Sequence, residues 1–286
     1  MDQLATPGTQ TKTKPLLHGD ISIELAPEMV SKFAPDPVVL PSESKVFLTH
    51  LTGKPLQSQI DAARRLIDMG YTPVVHIGAR NFTAESEYVD LIEAHARNGV
   101  THGLFLGGNP LTHNSPFDQA LDLLDHHVLR GSGFTHAFIS GYPEGHPGIG
   151  EDTLIDVRKR KIGVCQDLGM KPEIITQFAF DGARMATWAN AVSQMHPGTA
   201  LRLGLAGVTS FTKLIKFAVI CGVGPSIAVL KKNAGSIMNV LSESDPGDVI
   251  TRLKRDYSGN NPLNVHFFPF GGWEKTLDWV ERQRRS

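Results

Sequence analysis

The feature that most constrains this chain is a series of short apolar runs, rich in β-forming residues, that alternate with helical segments. Eight such runs are present, at 21–26, 45–51, 73–79, 102–108, 135–142, 173–180, 200–207 and 264–271. Segments between them, such as 56–70 and 85–99, carry apolar residues at helical spacing and end at a glycine, a common helix stop. Strands that alternate with helices predict parallel βα units.

Eight βα units over roughly 250 residues are typical of a (β/α)8 TIM barrel, so we predict this fold of the α/β class. The 286 residues, 41% of them hydrophobic, suffice for one such core. We expect a flexible N-terminal arm over 1–19 and a single barrel over 20–286, with an extra helix within 210–242. An open doubly wound sheet is the alternative, but it needs a glycine-rich phosphate loop after its first strand, and 21–30 contains no glycine.

The composition favours a small-molecule partner. A formal net charge of −1 argues against a nucleic-acid surface, which needs a concentrated basic patch. Cys165 and Cys221 form no C-x-x-C pair, so a zinc site or disulfide framework is not predicted, and a reducing compartment fits. No apolar stretch approaches the ~20 residues of a membrane span, and the polar N-terminus lacks a signal-peptide core. We expect a soluble, cytoplasmic protein without a membrane partner that is able to form homo-oligomers.

Polar residues recur at the ends of the predicted strands, where TIM-barrel active sites lie. They are Glu24, Thr49, His50, His76, Arg80, Asn109, Tyr142, Glu144, His146, Gln177, Asp181 and His266. These residues can also be explained without a functional site. Glu24 could face solvent, the histidines could have their hydrogen bonds satisfied within the core, and Asp181 could cap the helix that follows it. A metal site of His50, His76 and His266 is not favoured, because no H-x-H pair or carboxylate stands at the spacing of barrel hydrolases. Burial alone does not predict the clustering, so we interpret it as a site.

Six segments of the chain match a known family in order and spacing: ISIELAP, THL, VVHIGARN, GYPEGHP, IITQFAFD and HFFPFGG. Over roughly residues 20–275 the chain resembles the methylenetetrahydrofolate reductase family, in its short form with the catalytic barrel alone. The resemblance implies a (β/α)8 barrel that holds FAD at the strand ends. It also implies hydride transfer from NAD(P)H through the flavin to 5,10-methylenetetrahydrofolate, which gives 5-methyltetrahydrofolate.

The resemblance assigns roles on the substrate side. Glu24 matches the general acid that protonates N10, so that the imidazolidine ring of the folate opens to an iminium ion. Gln177 matches a glutamine that contacts the pterin and the nicotinamide in turn. Phe217 matches an aromatic residue that packs on folate or nicotinamide, and Lys213 stands where the family has a substrate-site glutamine.

The resemblance also implies a cofactor site. Tyr142, His146 and His76 match flavin-lining residues, and Thr49 and His50 fall where flavin and nicotinamide are contacted. Gly107, Gly108 and Asn109 replace an Arg-Gly-Asp sequence at the end of the fourth strand, and Gly272 replaces an arginine. Some family members pass hydride directly from nicotinamide without flavin, and a folate-dependent barrel without redox activity is the alternative. The choice of NADH or NADPH and the direction of reaction stay open.

Overall fold

The computed structural model describes residues 16–50, 53–108, 114–220, 243–270 and 272–285. Eight parallel strands close into a barrel, in which each strand pairs with its neighbour along the chain and the last pairs with the first. They are β1 Ile21–Leu25, β2 Lys45–Leu48, β3 Thr72–Gly78, β4 His102–Leu106, β5 His136–Gly141, β6 Lys171–Phe178, β7 Ala200–Ala206 and β8 Leu263–Phe268. The predicted (β/α)8 class and all eight strands are confirmed, with ends that differ by a few residues.

Helices cover the outside of the barrel. They are α1 Leu56–Asp68, α2 Glu85–Arg97, α3 Ala120–Leu124, α4 Glu151–Asp167, α5 Gly182–Met195, α6 Phe211–Ile220, α7 Gly247–Asp256 and α8 Trp273–Arg285. β1 is followed by a short 3-10 helix, Pro27–Lys32, in place of an α-helix. The first helical pattern within 210–242 forms α6, and the second lies outside the described residues. No helix in the described parts of the chain is both long and apolar enough to cross a bilayer.

Strand alternation divides the apolar residues into two cores. Ile23, Val75 and Leu203 point outward and are fully buried beneath the helices. Inward-facing residues fill the barrel with a second apolar cluster, formed by Phe47, Val74, Leu104, Phe138 and Ile175. The barrel interior is therefore packed rather than open, as expected for eight strands.

The predicted arm over 1–19 is wrong at its C-terminal boundary. Leu16–His18 form a 3-10 turn, and Leu16 and Leu17 are buried, at 8% and 4% exposure. Arg284 of α8 donates from Nε to the carbonyl oxygen of Leu17 at 2.6 Å. Burying two leucine side chains is favourable in free energy compared with leaving them in water. The packed part of the chain therefore includes residues 16–19. Residues 1–15 lie outside the described ranges.

Charged residues fill the N-terminal end of the barrel interior. Arg202 of β7 has no exposed surface; its Nε donates to Glu173 Oε1 at 2.8 Å and its Nη2 to Asp20 Oδ2 at 2.8 Å. Lys45 Nζ lies 2.6 Å from the same oxygen of Asp20. We call Asp20, Lys45, Glu173 and Arg202 the basal ion network. Two cations meet two carboxylates, so the network places no net charge beneath the rest of the interior.

Candidate active site

Glu24 projects into the barrel from β1. Ile23 and Leu25 are buried on the outer face, so alternation places Ser22 and Glu24 inside. The Glu24 side chain is 22% exposed, and burial raises the pKa of its carboxyl to about 8. Holding a charged carboxylate away from water costs free energy, so the protonated form of Glu24 predominates at neutral pH. This position can supply a proton.

His76 of β3 is the neighbour of that acid. Its Nε2 lies 3.5 Å from Glu24 Oε2, a contact longer than an ordinary hydrogen bond. Burial lowers the pKa of His76 to about 3, and the charge of His50 adds to this effect. At neutral pH the pair is therefore a protonated carboxyl beside a neutral imidazole, and the sequence-predicted residues Glu24 and His76 are brought together.

Thr49 and His50 follow β2 at the same end of the barrel. Thr49 Oγ1 is buried without a hydrogen-bond partner in the described chain. His50 Nδ1 accepts a hydrogen bond from the Gly78 amide at 3.3 Å, and burial lowers the pKa of His50 to about 4. An unpaired buried hydroxyl in a native site calls for an explanation, and a bound ligand is one.

Gln59 of α1 fixes the ends of β2 and β3. Its Nε2 donates to the carbonyl oxygens of Leu48 at 3.1 Å, Thr49 at 3.2 Å and His76 at 3.1 Å. Its Oε1 lies 3.1 Å from His95 Nε2. Sequence reasoning missed this residue. The available signal was an amide on the buried stripe of α1, three residues before Ala62.

Gln177 lies at a register irregularity in β6. The pairing of β6 with β7 shifts between Ile175 and Phe178, and the Gly204 amide donates to the side-chain oxygen of Thr176 at 2.8 Å. A bulge of this kind bends a strand and redirects a side chain, and bulges are common beside active sites. Glu173 and Ile175 face inward, the shift then interrupts this alternation, and Gln177 lies within the irregular part with its side chain partly buried.

Arg80, Tyr142 and His146 form another part of the mouth. Arg80 Nη1 donates to the carbonyl oxygen of Gly108 at 3.1 Å, and the Tyr142 and His146 ring centroids are 5.2 Å apart. Burial raises the pKa of Tyr142, while a hydrogen bond with Ser140 and then the charge of Arg80 lower it. Burial and then Arg80 lower the pKa of His146. Gly108 has φ +83°, a conformation that favours glycine.

An aromatic cluster lies at the C-terminal end of the barrel and is formed by residues of β6, of α6 and of the segment that follows β8. Phe217 stacks on Phe270, with centroids 4.2 Å apart, and Phe178 lies 4.9 Å from Phe270. Phe270 has φ +46°, which is uncommon for a bulky residue and recurs at functional sites.

Lys213 is exposed in the first turn of α6. The Asp181 side chain accepts hydrogen bonds from the amides of Ala183 and Arg184, both at 3.1 Å. The prediction that Asp181 caps the N-terminus of the helix that follows it is therefore confirmed. Asn109 lies outside the described residues.

The described residues contain one group of three potential metal ligands within 4.8 Å, namely Glu85, His126 and His127. His50, His76 and His266 do not meet this criterion. His126 Nδ1 accepts from the Val128 amide at 3.2 Å, and its Nε2 lies 2.8 Å from Glu85 Oε1. That bonding places the imidazole proton on Nε2, where a metal would need a lone pair. The arrangement is a surface hydrogen-bond pair.

Comparison with known proteins supports the fold alone. No protein-family model matches the chain. A solved structure of a Burkholderia cenocepacia J2315 protein, described as a phosphonomutase, aligns with a TM-score of 0.50 and 7% sequence identity. The match covers 95% of this chain and 94% of that chain. At this identity the likeness concerns the arrangement of strands and helices.

Proposed function

We propose that this chain is an enzyme, an oxidoreductase that interconverts 5,10-methylenetetrahydrofolate and 5-methyltetrahydrofolate with NAD(P)H. The observation that carries the proposal is the Glu24 carboxyl at the barrel mouth, whose pKa burial raises to about 8. A group with this pKa near neutral pH is matched to general acid catalysis. The family resemblance of residues 20–275 supplies the substrate.

Glu24 performs the proton transfer in this proposal. Its carboxyl gives a proton to N10 of the folate, the bond between N10 and the methylene carbon breaks, and the nitrogen keeps the electron pair. N5 shares its lone pair with the methylene carbon to form the iminium ion, and hydride addition to that carbon yields the methyl group. The neutral His76, 3.5 Å from Glu24, adds no cation that would oppose the cationic iminium.

Gln177 orients the folate in this proposal. A primary amide both donates and accepts hydrogen bonds, which suits the mixed edge of a pterin. Gln177 lies where the pairing of β6 with β7 shifts, and irregularities of this kind redirect side chains. Phe217 provides an apolar face for a planar ring, and Phe270 supports it. Lys213, exposed at the start of α6, would pair with an anionic tail of the substrate.

The residues near β2 to β5 fit an FAD-type cofactor. Thr49 Oγ1 is a buried polar atom that lacks a partner among the described residues, as expected where a ligand completes its hydrogen bonding. Ring surfaces come from four residues, namely His50, His76, Tyr142 and His146. Arg80 offers a positive charge, and the absence of side chains at Gly107 and Gly108 leaves room beside Arg80. When bound, a flavin accepts hydride from NAD(P)H and delivers it to the substrate. Thr49 and Arg80 would hold polar edges of that cofactor.

Glu24→Gln tests the proposed acid. The variant keeps the shape and neutrality of the protonated carboxyl but has no acidic proton. We expect turnover of methylenetetrahydrofolate to fall by about 10²–10⁴-fold while the folate dissociation constant is unchanged. Glu28→Gln, which changes a nearby exposed carboxylate, is the control and should keep full turnover. Unchanged turnover of Glu24→Gln would remove the acid from the mechanism.

The flavin assignment and the redox assignment are tested separately. The visible absorption of the purified protein is recorded before and after anaerobic addition of NADH, and flavin bands that bleach are the expected result. Without such bands, direct hydride transfer is assayed with NAD(P)H and methylenetetrahydrofolate. Folate binding without hydride transfer in either assay would favour a non-redox folate barrel. Gln177→Ala should weaken folate binding, and an unaltered affinity would count against the pterin contact.

A further inference from the structure

The pairing of β6 with β7 contains one unequal step. The residue pairs on its two sides enclose two residues of β6, Thr176 and Gln177, but a single residue of β7, Leu203. An extra residue of this kind makes a β-bulge, which bends the strand and changes the direction in which nearby side chains leave it. The direction of the Gln177 side chain therefore depends on what holds the bulge.

Thr176 holds the bulge through its side chain. The backbone amide of Gly204 in β7 donates to Thr176 Oγ1 at 2.8 Å, and Thr176 is only 1% exposed. Side-chain oxygens of threonine can compete with the regular ladder for backbone amides in this way. A buried amide without an acceptor is costly, so this bond stabilises the bulged strand.

Apolar packing anchors β6 on both sides of the bulge. Ile175, just before it, is buried in the apolar cluster that fills the barrel interior. Phe178, just after it, is buried in the aromatic cluster, with its ring centroid 5.7 Å from that of Phe268 and 4.9 Å from that of Phe270. With both sides fixed, the backbone between them is the part whose conformation the Thr176 bond can decide.

We propose that Thr176 is a positioning residue for Gln177: its hydroxyl oxygen holds the bulge on the Gly204 amide and so sets the direction in which the Gln177 amide meets the substrate. The inference rests on the proposed contact of Gln177 with the pterin. A pterin presents its donors and acceptors in a fixed pattern, and hydrogen bonds weaken steeply when they are misaligned. A redirected amide would therefore lose affinity although the glutamine is still present.

Thr176→Val and Thr176→Ser separate the hydroxyl from the shape of the side chain. Valine keeps the branched shape but offers no oxygen to the Gly204 amide, whereas serine keeps the oxygen and loses a methyl group. Isothermal titration calorimetry gives the dissociation constant of 5-methyltetrahydrofolate. We expect it to rise about tenfold in Thr176→Val and to stay within about twofold of wild type in Thr176→Ser. Thr187→Val, on the exposed side of α5, is the control and should bind like wild type.

A double-mutant cycle with Gln177→Ala tests whether Thr176 acts through Gln177. Once the amide is absent, adding Thr176→Val should change the dissociation constant by less than about twofold. A general weakening of the barrel would instead lower the affinity in both backgrounds. Equal losses with and without the Gln177 amide would overturn the inference.

A second measurement needs no substrate. In protein with isotope-labelled glutamine, the side-chain amide NMR signals of Gln177 are those that Gln177→Ala lacks. We expect Thr176→Val to move these signals and Thr176→Ser to leave them in place; unmoved signals in Thr176→Val would overturn the inference. If Thr176→Val does not fold, Thr176→Cys, whose sulfur is a weak acceptor, replaces it with the same expected results.

The inference and the proposed function can fail separately. Moved amide signals without any binding of 5-methyltetrahydrofolate would reject the folate substrate and keep the effect of Thr176 on Gln177. Binding of 5-methyltetrahydrofolate with the same dissociation constant in Thr176→Val and wild type would keep the substrate and reject the role of Thr176.

Discussion

Gln59 is the residue through which a helix controls the geometry of the candidate site. It ties the last carbonyls of β2 to that of His76 in β3, so it sets the spacing of the strand ends that carry Thr49, His50 and His76. Each bond is ordinary, but together they join two strands and the helix between them. A buried amide with all its partners is a strong local constraint.

We predict that Gln59→Ala lowers the free energy of unfolding by about 2–4 kcal/mol, because three carbonyl oxygens and the His95 imidazole lose their shared partner. Urea unfolding followed by circular dichroism measures this. Gln57→Ala, two residues earlier on the exposed face of α1, should change stability by less than about 0.5 kcal/mol. Similar losses in both variants would show that the bonds to the strand ends are not responsible.

Some functional or buried residues can be identified from the sequence, and others cannot. Gln177 was detected as a polar residue in an apolar strand, and Glu24 through a short motif. Arg202 was read as part of a strand, although it is fully buried and organises the N-terminal end of the barrel. Its partner Asp20 is 182 positions away, so neither periodicity nor local spacing reveals the pair. Contacts across such separations follow from barrel closure and not from local pattern.

At the scale of elements, the irregular part of β6 depends on a glycine in β7. A Cβ added to Gly204 would lie 2.4 Å from the Thr176 carbonyl oxygen and 2.8 Å from that of Gln177. The two strands approach so closely that no side chain fits between them. The position of Gln177 is therefore set by a neighbouring strand as well as by its own.

We predict that Gly204→Ala destabilises the protein by at least about 3 kcal/mol, because the new methyl group meets backbone atoms that cannot rotate away. Gly163→Ala is the matched control: apart from its chain neighbours and the backbone of α4 itself, no described atom lies within 4 Å of its added Cβ, and α4 gains up to about 1 kcal/mol from helix propensity. Thermal unfolding of the two variants should shift in opposite directions. A neutral Gly204→Ala would mean that the strands separate at little cost.

The ends of strands and helices are predicted well where an apolar run meets turn residues. The order of the strands in the barrel follows from the βα alternation along the chain. The sequence did not predict the 3-10 turn at Leu16–His18, because two leucines are too short a pattern to separate from a polar arm. It also did not predict that β1 lacks a following α-helix. Residues 27–32 contain no long apolar stripe, but βα alternation elsewhere favoured one.

For the whole molecule, buried histidines make stability depend on pH. Burial lowers the pKa of His50 and His95 to about 4 and of His76 and His102 to about 3, with smaller contributions from neighbouring charges. In the unfolded chain these groups titrate near 6.5. Below that pH the unfolded chain binds more protons than the folded one. The contribution of these histidines is therefore fully present above about pH 6.5 and is lost as the pH falls toward the folded-state values, whereas Glu24, with a pKa raised to about 8, acts in the opposite sense and offsets part of it.

We predict that the free energy of unfolding is smaller at pH 5 than at pH 7.5, and that His102→Gln reduces this difference. His102 stacks on His136 with centroids 4.1 Å apart, so protonating it would place a cation against a second imidazole. Urea unfolding at the two pH values gives the comparison, and the exposed His127→Gln serves as the control. An undiminished pH difference in His102→Gln would assign the loss to other groups.

The pairing of β8 with β1, with Val265 opposite Ile21, also sets the order in which the molecule can be completed during synthesis. A ribosome releases β1 through β7 before residues 263–268 exist, so a nascent chain can assemble no more than an open sheet with two unpaired edges. Such edges are sites of aggregation until they are covered. Closure therefore cannot precede the synthesis of β8, and a chaperone that shields strand edges would act during that interval.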